Sequence, residues 1–208
     1  MKKLCILTYI IPFLTFSQGT LKSGDFVAEL YGGLPNWANA FIYPTIKSRF
    51  DNVENFGTKG SIWSFGGRFS YLVQDRISVG LDVNHEVSGC YFDYEKFEEN
   101  TQIYIDFNAN YTARKTRFQL RTNFLVIKKE KFDAYIGLGI GYKYVKRTII
   151  ASEPHFDERK LNLRGAIFPL TGRLSFGTRY YFTNNIGIFT ELGFFGGALL
   201  QGGLSVKI

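Results

Sequence analysis

Trp63 to His85 reads WSFGGRFSYLVQDRISVGLDVNH. Ile77, Val79, Leu81 and Val83 alternate with Ser78, Gly80, Asp82 and Asn84. Phe65, Phe69 and Tyr71 keep the same period of two ahead of them. Period-two alternation is the mark of a strand with one apolar face. Gln74-Asp75 interrupts the pattern as a short polar turn, so the stretch predicts a β-hairpin.

The same period recurs along the chain. Ala134, Ile136, Leu138, Ile140 and Tyr142 alternate with Gly137, Gly139, Gly141 and Lys143. Leu174, Phe176, Thr178, Tyr180 and Phe182 alternate with Arg173, Ser175, Gly177, Arg179 and Tyr181. Leu204, Val206 and Ile208 close the sequence in the same manner. Eight strands are predicted, at about 25–33, 61–73, 76–88, 101–127, 133–146, 166–183, 186–195 and 199–208. Short turns at Gln74-Asp75, Lys128–Lys131 and Thr183–Asn185 alternate with longer polar stretches near 34–60, 88–102, 147–165 and 196–199. Short turns at one end and long loops at the other predict an all-β, eight-stranded antiparallel up-and-down transmembrane β-barrel.

The fourth strand changes phase. Ile103, Ile105 and Phe107 are odd, whereas Phe118, Leu120, Phe124 and Val126 are even. Two strands in this region would make nine, which the alternation of turns opposes. One long strand with a bulge near 112–117 is expected, its first part protruding as a ribbon with the extended third strand.

Composition agrees. The 208 residues include 21 Phe, 13 Tyr and 22 Gly, a bias toward pleated surfaces. A mean hydropathy of −0.07 with 21% charged residues excludes a bundle of apolar membrane helices. The polar set (Glu29, Arg68, Asp82, Glu86, Arg121, Lys143, Arg173, Arg179, Glu191 and Lys207) is strongly charged. The opposite set (Trp63, Phe65, Phe69, Tyr71, Leu81, Phe124, Ile140, Phe176, Phe182 and Phe194) is bulky and apolar. Charges with glycines inside and aromatics outside suit a narrow barrel in lipid.

Residues 1–19 are expected to be a signal peptide. Lys2 and Lys3 precede an apolar run from Leu4 to Phe16, and Ser17, Gln18 and Gly19 offer a cleavage site. Its removal would take the net charge from +7 to +5 and leave Cys90 as the single cysteine, so no intrachain disulfide is expected. Residues 20–208 then form the barrel domain.

The stretches Trp63–His85 and Phe132–Tyr142 (FDAYIGLGIGY) resemble small outer-membrane barrel proteins of Bacteroidetes-type bacteria, within the broader OmpA/OmpX-like, porin-like group of eight-stranded barrels. The resemblance implies a Gram-negative cell outer membrane as the location. It carries no catalytic signature and no cofactor. Such barrels end in an aromatic residue where this sequence has Ile208.

Candidate sites follow from parity. Arg173, Arg179 and Glu191 share the inward phase of neighbouring strands, and closure should bring Lys207 near Asp25 or Glu29, so lumenal ion pairs are expected among them. The turn after Lys128 pairs strands so that positions sum to about 260. This places Arg114 near Lys146 and Arg117 near Lys143, with Lys115 and Arg147 adjacent. That basic rim could contact lipopolysaccharide phosphates in the outer leaflet, or be neutralised by carboxylates of the ribbon. Trp37, Phe41 and Tyr43 are too apolar for an ordinary loop and read as a mouth-capping or partner-binding segment. His85 and Ser88 are read as facing away from Glu86, so no catalytic group forms, and His155 stands far from His85. Asp93, Glu95, Glu98 and Glu99 suggest a soluble ribbon tip or, less simply, a cation site. The expectation is a closed-lumen, monomeric outer-membrane protein with a structural or surface-interaction role. Its expected partners are outer-membrane lipid and lipopolysaccharide, with a protein at the extracellular loops as a further candidate, and not nucleic acid. The alternatives are a small-solute channel and a lipid-modifying enzyme.

Overall fold

The computed structural model describes residues 21–36, 53–59, 64–98, 103–153, 156–166 and 168–208. Ten strands follow in chain order: β1 (Phe26–Asn36), β2 (Val53–Lys59), β3 (Ser64–Gln74), β4 (Ile77–Glu98), β5 (Ile103–Lys128), β6 (Phe132–Glu153), β7 (Phe156–Arg164), β8 (Leu170–Tyr181), β9 (Ile186–Phe194) and β10 (Ala198–Lys207). Eight of them close a ring in the order β1–β3–β4–β5–β6–β8–β9–β10, every neighbour antiparallel, with β10 returning to β1. Closure removes the sheet edges that lipid could not satisfy.

One end carries the short turns. Asp75-Arg76 joins β3 to β4, residues 129–131 join β5 to β6, and residues 182–185 join β8 to β9. Both described chain ends lie there too: the Ile208 amide donates to Phe26 O at 2.9 Å. Residues 22–25 are tied to the first turn, with the Ser23 amide donating to Asp75 Oδ1 at 3.1 Å. At the opposite end β4, β5 and β6 rise beyond the ring as a protruding sheet.

The two remaining strands flank that sheet, β2 beside β4 and β7 beside β6. This corrects the reading of 34–60 and 147–165 as irregular loops, and it extends the strand that was expected to end at 146 as far as Glu153. A strand above the membrane needs no lipid-facing apolar row, so β7 (FDERKLNLR) hid behind its charges. The expected bulge at 112–117 is also absent. β4 and β5 keep one register from Ile77↔Phe124 to Glu98↔Ile103, and β5 and β6 shift only between Leu125 and Ile127. The change of apolar phase has another cause. Where β4 and β5 leave the ring, their inner face acquires its own small core: Cys90 is buried against Phe56, Phe92 and Tyr111.

The outer surface of the ring is apolar. Leu81 is 61% exposed, Leu120 62%, Leu138 62%, Ile140 65% and Leu204 56%. Phe124 and Phe176 also face outwards. On β5 the apolar row runs from Phe118 to Val126. Nine residues at about 3.4 Å each, tilted by about 40°, span roughly 23 Å, the height of an outer-membrane apolar band. Near the short-turn end Tyr71 packs on Phe26 (centroids 4.8 Å apart) and Tyr180 on Phe182 (5.5 Å), an aromatic girdle at that end of the apolar band.

Candidate functional site

The inward rows of the ring strands are polar, and their side chains meet at the axis. Four guanidiniums and three carboxylates occupy the middle of the lumen. Arg68 of β3 is the hub. Its Nη1 lies 2.8 Å from Glu29 and 3.1 Å from Glu191, and its Nε lies 3.0 Å from Asp82. Arg121 of β5 binds Glu191 at 2.5 Å and reaches Asp82 at 3.6 Å. Arg173 of β8 binds Glu191 at 3.1 Å, and Arg179 of β8 binds Glu29 at 2.6 Å. The Tyr135 hydroxyl donates to Glu191 at 2.9 Å, and the Tyr31 hydroxyl donates to Asp82.

Four cations against three anions leave one surplus positive charge. Arg173 meets it with backbone: its guanidinium donates twice to Ala198 O at 3.1 Å and also to the carbonyls of Phe195 and Gly196. These bonds draw the β9–β10 connection down over the lumen. The guanidiniums also lie near ring faces, Arg179 4.2 Å from the Tyr135 centroid and Arg68 5.6 Å from those of Tyr31 and Phe189.

Small residues make room for this cluster. A Cβ on Gly193 would sit 1.9 Å from the Arg173 guanidinium, and one on Gly137 would sit 2.3 Å from that of Arg121. Gly137 therefore serves packing within its strand, leaving room for Arg121.

Further side chains pack above and below the cluster. Towards the short turns Leu21, Val27, Leu72, Leu125, Tyr135 and Tyr181 form an apolar plug, with Leu21 contributed from outside the ring strands. Asp133 is fully buried at this end, and neither of its carboxylate oxygens accepts a hydrogen bond among the described residues. Towards the protruding sheet, Glu86 takes Arg117 at 2.7 Å and Lys115 at 3.1 Å, while Asn84 bridges Arg117 and Ser64.

Charged interior and apolar exterior are the polarity of a strand-built membrane span, the reverse of a soluble barrel. The chain is an eight-stranded transmembrane β-barrel. Such spans belong to outer membranes, where closed barrels satisfy every backbone group within the sheet. No protein-family model matches the chain, and no curated protein sequence matches it. Among solved structures it is similar to the outer membrane protein OprG from Pseudomonas aeruginosa, at 13% identity and a TM-score of 0.46, covering 93% of this chain and 99% of that one. It is similar to the N-terminal β-barrel domain of Pseudomonas aeruginosa OprF, at 12% identity and a TM-score of 0.42, covering 90% and 98%. It is also similar to Ail, the attachment invasion locus protein of Yersinia pestis, at 12% identity and a TM-score of 0.36, covering 89% and 95%. The fold assignment rests on this chain's own strand order and polarity.

The residues singled out from the sequence fall as follows. Glu29, Arg173, Arg179 and Glu191 lie in the central cluster, but in two groups, Arg179 with Glu29 and Arg173 with Glu191. Lys207 stands apart at the short-turn end, 3.7 Å from Asp25. The basic rim divides between two faces. Arg114 pairs across from Lys146 on the outer face, whereas Lys115, Arg117 and Arg147 face inwards. Arg147 donates to Gly165 O at 2.9 Å. Ser88 shares the inner face with Glu86, which corrects its grouping with His85: both serve Lys115. His85 lies on the outer row with Nδ1 2.9 Å from Thr116 Oγ1 and its ring beside Phe65. Asp93 accepts from Asn55 and Asn108, each at 2.8 Å, and no metal-binding group of His, Cys, Asp and Glu forms among the described residues. Trp37, Phe41, Tyr43, His155 and the leader 1–19 lie outside the described residues. Sequence reasoning placed Arg68, Asp82 and Arg121 inside but did not make them ion-pair partners, and it missed the Leu21 plug. For Arg68 a signal existed: Gly66 and Gly67 stand beside a large inward cation.

Proposed function

We propose that this protein is an integral outer-membrane component of the small OmpA/OmpX-like kind, delivered by a cleaved leader at residues 1–19. Its lumen is closed to solutes, and its role is structural or surface-interactive. One observation carries the reading: Arg68, Arg121, Arg173, Arg179, Glu29, Asp82 and Glu191 fill the axis, none more than 4% exposed, above an apolar plug. Eight strands give an interior that side chains just fill. The part free to meet a partner is then the protruding sheet. The chain acts as a monomer, its apolar outer surface covered by lipid. A catalytic role finds no support in the outer histidine, since His85 is engaged by Thr116 and the neighbouring acid, Glu86, is on the opposite face bound to Arg117.

Planar-bilayer conductance of the refolded protein tests this. Insertion without steady current steps is the expected result. Steady ohmic steps that survive substitution of the long loops would replace this reading with a channel.

A further inference from the structure

The outward positions of β5, β6 and β7 form rows of constant height. Phe118 and Tyr142 are the last apolar row, and Thr116 and Tyr144 lie above them at the polar edge of the band. One pair further out, Arg114 of β5, Lys146 of β6 and Arg164 of β7 stand side by side on three adjacent strands. Neighbouring strands are about 4.8 Å apart, so three like charges share a row of roughly 10 Å. Arg114 and Arg164 are exposed and Lys146 is half-buried.

These three differ from the cations behind them. At the same level Lys115 and Arg117 share Glu86, and Arg147 takes a backbone carbonyl. No described carboxylate reaches Arg114, Lys146 or Arg164. The inner cations are neutralised within the protein, whereas the outer ones face the layer immediately above the apolar band, where lipid head groups lie.

We propose that Arg114, Lys146 and Arg164 form a binding surface for the phosphate groups of outer-leaflet glycolipid. The proposal rests on the outer-membrane reading above and gives that membrane protein a lipid of defined chemistry. Guanidiniums bind phosphate through two parallel hydrogen bonds, and the lysine adds a point charge between them. The row is longer than one phosphate and fits a head group bearing more than one. A free anion on this open surface would gain little. A lipid is held at this height by its acyl chains, so its phosphates act at high effective concentration.

The wild type and the triple variant Arg114→Gln, Lys146→Gln, Arg164→Gln are refolded into phosphatidylcholine vesicles with and without bisphosphorylated lipid A. Lipid A retained per barrel is measured after detergent extraction, together with the unfolding midpoint. Retention by the wild type should exceed that of the triple variant on the order of a hundredfold, the gain expected from three cations near an anionic surface. Dephosphorylated lipid A should fall to the triple variant's level, and inorganic phosphate should leave the midpoint unmoved. Should the triple variant fail to refold, the single substitutions should each lower retention. Equal retention by wild type and variants, which would leave neutralisation to the protein's own acidic residues, overturns the proposal. So does an equal response to inorganic phosphate. Failure of the wild type to insert into phosphatidylcholine alone would instead overturn the membrane reading itself.

Discussion

Replacing Glu191 by alanine removes the most connected anion of the lumen. Glu191 is 1% exposed and holds Arg68, Arg121 and Arg173 at 3.1, 2.5 and 3.1 Å, with the Tyr135 hydroxyl at 2.9 Å. Its loss changes the central charge ratio from four cations and three anions to four and two. Breaking a buried ion pair from one side costs about 3–5 kcal/mol. The lower end applies, because each cation keeps other partners. Arg68 retains Glu29 and Asp82, Arg121 retains Asn123 and Ser175, and Arg173 retains the Ala198 carbonyl. A loss of about 3 kcal/mol is expected in reversible urea unfolding from lipid vesicles followed by tryptophan fluorescence. Glu191→Gln, which leaves no cavity, should lose most of the same amount. Lys131→Ala, in an exposed turn, should change stability by less than about 0.5 kcal/mol. Equal effects of Glu191→Ala and Lys131→Ala would refute a lumenal network centred on this carboxylate.

Gly193→Ala should displace the Arg173 guanidinium from its 1.9 Å clearance and cost about 1–3 kcal/mol, read as a lower thermal midpoint in detergent; an unchanged midpoint would mean that Arg173 does not occupy that space. Cys90 should react slowly with a maleimide in the folded protein, because it is buried and burial pushes its thiol pKa up; Tyr111→Ala should speed labelling, and equally fast labelling of both would remove the small core from the protruding sheet. Asp75 is held below its ordinary pKa by the Ser23 amide and by Lys128. Its contribution is therefore present above roughly pH 4 and fades as pH falls through the lower folded value, so the stability gap between wild type and Asp75→Asn should narrow on acidification; a gap that widens would contradict the pairing.

Within the membrane the fold was legible because a single rule applies there. One face meets lipid and the other meets the lumen, so parity alone put Leu81, Phe124 and Phe176 outside and Arg68, Arg173 and Glu191 inside. Above the membrane that rule lapses. β2 and β7 went unread, and the apolar phase of β5 changed at Tyr111 without any bulge, because water replaces lipid on the outer face and a small core forms on the inner one. In the lumen the sequence supplied the set of charges but not their pairing. Whether Glu191 reaches Arg173 alone or Arg68 and Arg121 as well depends on which strands face each other across the axis, a distance no local pattern encodes. Parity likewise divides the basic rim, Arg114 and Lys146 outward and Lys115, Arg117 and Arg147 inward, although cross-strand pairing and adjacency had gathered them into one cluster.

Single nitroxide labels along the outer row of β6 report whether the apolar outer face of the barrel lies in lipid. Cysteine replaces Ile136, Leu138, Ile140, Tyr142 and Lys146 in turn in a Cys90→Ser background, and the labelled proteins are refolded into vesicles. Collision with oxygen should dominate at 136, 138 and 140, and collision with a water-soluble nickel chelate should take over between 142 and 146. Dominant nickel access at 138 and 140 would place that row in water and contradict the account.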